Sequence, residues 1–104
     1  MIEPMTSNKA LSSSPGLMRE LPIVNRKGLH ARATAKFVQC CEKYDAVISV
    51  TKDGETVGGS SIMGILTLGA AQGSTIIVTA NGPQAQDALD ALAALVANRF
   101  GEEE

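Results

Sequence analysis

Ala46-Val47-Ile48-Ser49-Val50-Thr51-Lys52-Asp53-Gly54-Glu55-Thr56-Val57 reads as two short strands joined by a tight turn. Apolar and polar residues alternate through Ala46–Thr51, and β-branched side chains dominate, as in a half-buried strand. Asp53-Gly54 supplies the two positive φ angles that a type I′ hairpin needs. The chain therefore contains antiparallel pairing at its centre.

Downstream, Gly58 to Gly69 predicts a short helix with a serine at its start and a glycine at its end. Either Ser60 or Ser61 can cap it; Ser61 is preferred for the Ile-Met-Gly that follows. Ser74–Ala80 is dense in β-branched residues and predicts a buried strand. Asn81-Gly82-Pro83 interrupts the chain, with Pro83 suited to a first helical turn. Ala85, Ala88, Leu89, Leu92, Leu95, Val96 and Arg99 then recur at helical spacing.

Upstream, Arg19–Asn25 predicts a strand with Leu21 and Ile23 on one face. Pro22 lacks a ladder donor, which places this strand at a sheet edge. Arg26-Lys27-Gly28-Leu29 is a polar loop leading to His30, and the spacing from Ala31 to about Tyr44 is helical. The order is β-α-β-β-α-β-α, an α+β domain whose helices cover one face of an antiparallel sheet. The expected boundaries are a flexible extension over 1–18, a domain over 19–101 and an acidic tail over 102–104.

Composition excludes several functions. Aromatic residues make up 3% of the chain and there is no Trp, so stacking platforms for single-stranded nucleic acid are not expected. His30 is the one histidine, and Cys40 and Cys41 are adjacent, which excludes a His-rich metal site and a disulfide framework. No metal or other cofactor is expected. No run of 18 apolar residues and no signal-peptide pattern occurs, so the expected location is the cytoplasm. Walker-type loops, paired carboxylates and Ser/His/Asp signatures are also missing, which argues against a stand-alone enzyme.

The net charge is −2, but it is unevenly placed. Residues 26–36 hold Arg26, Lys27, Arg32 and Lys36 and no carboxylate. Without residues 1–18 and 102–104, the domain has eight cations against seven carboxylates. His30 would stand at the start of a helix, where backbone N–H groups are unpaired and the dipole is positive. Arg32, in the same first turn, can offer a planar fork to phosphate oxygens. An ordinary imidazole titrates near pH 6.5, so a neutral, nucleophilic nitrogen is available. A lone loop histidine is usually only a solvated side chain, and the residues around it decide its reading.

Gly28-Leu29-His30-Ala31-Arg32 followed by Thr34-Ala35-Lys36-Phe37-Val38 resembles the active-centre signature of the HPr family. These are the histidine phosphocarriers of the phosphoenolpyruvate-dependent phosphotransferase system. Ser61-Ile62-Met63-Gly64-Ile65-Leu66-Thr67-Leu68-Gly69 resembles the family's regulatory-serine motif, and the spacing of the two blocks also matches. The resemblance spans about residues 19–100. It implies a four-stranded antiparallel sheet in the order 1-4-2-3, covered on one face by three helices.

By that resemblance, His30 takes a phosphoryl group on Nδ1 from phosphorylated enzyme I and passes it to a IIA-type protein. Arg32 would position the group, and the amides of Ala31 and Arg32 would hold its oxygens. Ser61 would be the target of HPr kinase/phosphorylase, and Ile62, Met63 and Leu66 would form the partner interface. Ile65 and Leu68 are expected in the core. A monomer is expected, with neither nucleic-acid nor membrane partners.

Sugar-branch members usually carry Pro where this chain has Ala33, and Lys where it has Gly64. Gln39 and Glu42 likewise replace lysines of enteric sugar carriers, and together these positions resemble the nitrogen-related (NPr) branch. The alternative is a regulatory binder governed by Ser61 with little phosphoryl flow through His30. Relatives of that kind lack the histidine that this chain keeps.

Overall fold

The computed structural model describes residues 16–102. Strand β1 (Leu17–Pro22) leads to helix α1 (Ala31–Glu42), then β2 (Val47–Lys52) and β3 (Glu55–Gly58). Helix α2 (Ile62–Thr67), strand β4 (Thr75–Asn81) and helix α3 (Ala85–Ala97) follow, and a 3-10 turn (Arg99–Gly101) ends the fold. The four strands form one antiparallel sheet in the order β1-β4-β2-β3. The expected element order and strand order are both found, with the Pro22 strand at an edge.

Local chemistry accounts for each element. At the β2–β3 turn, Asp53 and Gly54 have φ of 51° and 85°, the positive pair that the type I′ geometry requires. Alternation buries Ile48 and Val50 on β2 and Ile76, Val78 and Ala80 on β4. Their neighbours Ser49, Thr51, Ile77 and Thr79 point to the other face and stay half-exposed. Onto the buried face pack Ala33, Phe37, Val38 and Cys41 from α1, Ile65 from α2, and Ala88, Leu89, Leu92 and Val96 from α3. Arg19 of β1 bonds to Asp90 of α3 at 2.9 Å, tying the edge strand to the helical layer.

Several boundaries differ from the sequence reading. β1 begins at Leu17, because β4 is long enough to pair Ala80 and Thr79 with Leu17 and Met18. The expected extension therefore ends before Leu17; residues 1–15 lie outside the described residues. Beyond Pro22, Ile23 still exchanges backbone bonds with Ser74 and Gly73 (2.8 and 2.9 Å), although the regular strand has ended. Pro83 precedes α3, whose N-cap is Gln84. Arg99 leaves the helical stripe, since α3 stops at Ala97 and Arg99 turns left-handed with φ 55°. Among the described residues, no helix is long and apolar enough to cross a membrane.

Candidate functional site

The loop before α1 is held from three directions. Gly28 has φ 65°, and a Cβ there would meet the Ala70 carbonyl oxygen at 2.4 Å, so only glycine fits this close approach. Leu29 donates its N–H to that same oxygen (2.9 Å) and buries its side chain. Buried Thr34 donates its hydroxyl to the Leu29 carbonyl at 3.1 Å. His30 is thereby fixed as the N-cap of α1, its carbonyl accepting from Thr34 N–H at 2.8 Å.

Among the described residues no side chain caps this helix, and its first turn contains no acid. The leading N–H groups, including those of Ala31 and Arg32, are therefore open donors at the positive end of the helix dipole. The His30 side chain is 26% exposed. Arg32 is exposed, and its guanidinium has no hydrogen-bond partner among the described residues. Arg26 and Lys27 are exposed in the preceding loop. Lys36 is not free for a ligand: its Nζ donates to the Phe100 carbonyl at 2.6 Å. The cationic patch is thus Arg26, Lys27 and Arg32, and Lys36 serves the fold.

Glu102, which the sequence placed in an acidic tail, packs onto the histidine instead. Its Oε2 lies 2.5 Å from His30 Nε2, and its side chain is only 14% exposed. The other carboxylate oxygen accepts from Asn25 Nδ2 at 3.1 Å. That same amide nitrogen donates to the Gly28 carbonyl at 2.9 Å. Burial pulls the Glu102 carboxyl upward, but the hydrogen bonds from His30 and Asn25, with positive charge at His30 and Lys27, leave it below its ordinary value.

The chain reaches this position through an unusual turn. Arg99 and Phe100 have φ of 55° and 56°, and Gly101 follows at 80°. Each left-handed non-glycine residue costs roughly 1–2 kcal/mol. Phe100 is 1% exposed, and burying such a ring contributes about 2–3 kcal/mol, enough together with the Lys36 bond to offset that strain. Sequence reasoning missed both Glu102 and Asn25. The available signal was an apolar ring and a glycine, Phe100-Gly101, just past the end of an amphipathic helix.

Ser61 is the N-cap of α2, its Oγ accepting from Gly64 N–H at 2.9 Å, which agrees with the preference over Ser60. Ile62 and Met63 are 42% and 70% exposed and Leu66 is half-buried, whereas Ile65 and Leu68 lie in the core. α2 packs against α1, so both motifs belong to one helical layer. A hollow of about 530 Å³ between α1 and α3, lined by Lys36, Gln39, Cys40 and Tyr44 among others, does not include His30. His30 lies outside this hollow, with its side chain 26% exposed.

The family described as "PTS HPr component phosphorylation site" matches residues 17–98. The chain is 46% identical over 88 residues to the phosphocarrier protein HPr of Cupriavidus necator, covering 85% of this chain and 99% of that one. It is 42% identical over 86 residues to HPr of Pseudomonas aeruginosa, covering 82% and 96%. Among solved structures, HPr-C-His from Thermoanaerobacter tengcongensis superposes with a TM-score of 0.81 at 41% identity, covering 85% and 99%.

Proposed function

The chain belongs to the HPr family of phosphocarriers of the phosphotransferase system, and we propose that it carries a phosphoryl group on His30. The observation behind this reading is a partly exposed imidazole at the N-cap of α1, with Arg32 in the same first turn and without a hydrogen-bond partner among the described residues. The donor is phosphorylated enzyme I and the acceptor a IIA-type protein, both reached by surface docking. The amides of Ala31 and Arg32 hold the phosphoryl oxygens, and the Arg32 fork neutralises them.

An open helix end suits a carrier, because a closed pocket would stabilise the phosphohistidine too deeply for onward transfer. Ile62, Met63 and Leu66 form the docking patch, where the flexible Met63 thioether adapts to more than one partner. The carrier works as a monomer in the cytoplasm, meeting its partners in turn. Ala33 and Gly64 favour the nitrogen-related branch. Phosphorylation of exposed Ser61 by HPr kinase/phosphorylase would add about −1.5 to −2 charges beside that patch.

The test is incubation with phosphoenolpyruvate and enzyme I, followed by acid. Label on the wild-type chain should be acid-labile and absent from His30→Ala; acid-stable label, or label surviving that substitution, rejects the carrier reading. With HPr kinase and ATP, acid-stable label should appear and vanish in Ser61→Ala.

A further inference from the structure

The His30–Glu102 contact fixes more than position. We propose that Glu102 is a positioning residue that holds the imidazole proton on Nε2 and so presents Nδ1 as the nucleophile. An ionised carboxylate can only accept, so the hydrogen in the 2.5 Å contact belongs to His30 Nε2. In the neutral ring the other nitrogen, Nδ1, then carries the lone pair. The ionised carboxylate is favoured because His30 Nε2 and Asn25 Nδ2 each meet one of its oxygens, which outweighs the upward pull of burial.

Asn25 is itself oriented without ambiguity. Both of its neighbours, the Gly28 carbonyl and Glu102, are acceptors, so Nδ2 must face them. This choice leaves Asn25 Oδ1 buried with no partner among the described residues, a penalty accepted only where the donor side is needed. The left-handed turn at Arg99 and Phe100 brings Glu102 into the same constellation.

The chemical consequence rests on the phosphocarrier reading. The Nδ1 lone pair forms the N–P bond while the donor's bond to phosphorus breaks and its electron pair stays with the donor. The ring keeps its Nε2–H and becomes an imidazolium facing the Glu102 carboxylate. On delivery the N–P bond breaks, its electron pair returns to Nδ1, and no proton has to move in either direction.

The test pairs ring-nitrogen NMR of the free protein with phosphorylation kinetics, using Glu102→Ala and Glu102→Gln in the full chain. At about pH 8, where an ordinary imidazole is neutral, the wild-type ring should be a single Nε2–H tautomer and the Ala variant a mixture. Acceptance from phosphorylated enzyme I should slow about tenfold in Glu102→Ala, the lower end of the loss found when the partner orienting a metal-bound histidine is removed. Glu102→Gln offers one acceptor to two donors and should fall between wild type and Ala. A wild-type ring protonated on Nδ1, or variants with unchanged tautomer and unchanged rate, would overturn this inference while leaving a labelled His30 intact. Failure to label the wild-type chain at all would sink both readings.

Discussion

Lys36 Nζ donates to the Phe100 carbonyl at 2.6 Å, so the helix that starts at His30 also holds the turn that carries Glu102. One element thus fixes both partners of the His30–Glu102 contact. Lys36→Met keeps most of the apolar stem and removes the donor. It should lose about 1–2 kcal/mol, the range of a partly exposed charged hydrogen bond. Faster amide exchange should be confined to Gly101 and Glu102, whose N–H groups bond to Asn98 and Arg99. An unaltered exchange rate there would show that Phe100 holds the turn alone.

Asn25 is fully buried and donates to two acceptors, Gly28 O and Glu102 Oε1. Asn25→Asp has nearly the same shape but turns both contacts into acceptor facing acceptor and buries a charge. Such uncompensated burial costs about 3 kcal/mol or more. Asn25→Ala, which only deletes the donor, should lose less, about 2 kcal/mol for two hydrogen bonds. Urea denaturation of the two variants decides the matter, and an Asp variant as stable as the Ala variant would contradict the assigned amide orientation.

What the sequence made legible was local. Alternation in Ala46–Thr51, the Asp53-Gly54 pair and the missing donor of Pro22 each act within a few residues, and together they specify an antiparallel sheet with β1 at its edge. The His30 and Ser61 motifs were legible because helix starts have short-range signatures. Glu102 was not, because its contact spans 72 residues and depends on two left-handed residues that no local propensity favours. The role of Lys36 was hidden for the same reason: a cation on a helix face does not reveal which distant carbonyl it will meet.

Acid should act through Glu102. Burial raises its carboxyl, but bonds from His30 and Asn25 prevail and hold it below the ordinary value of 4.5. Between its folded and unfolded values the unfolded chain therefore binds more protons, so stability rises with pH there. The contribution of Glu102 is complete above 4.5 and lost as pH falls through the lower folded value. The stability gap between wild type and Glu102→Ala, measured at about pH 6 and about pH 3, should shrink in acid. A gap that widens in acid would mean that Glu102 is protonated in the native protein.

The cysteines predict a response at the other end of the pH scale. Burial, reinforced by Cys40 and Glu42, pushes the Cys41 thiol from 9.0 up to about 12. Burial also raises Cys40, against the opposing charge of Lys43. Only the thiolate is an effective nucleophile, and at about pH 8 Cys41 would be ionised to roughly one part in ten thousand. Iodoacetamide should therefore leave Cys41 unmodified in the native protein, modify half-exposed Cys40 slowly, and alkylate both after denaturation. The raised folded value also sets a sign: the neutral thiol's contribution is complete below 9 and is lost as pH climbs towards about 12, because the unfolded chain ionises first. The stability difference between wild type and Cys41→Ala should accordingly narrow above about pH 9. Rapid, complete alkylation of Cys41 in the native state would mean that α1 opens far more readily than its packing allows.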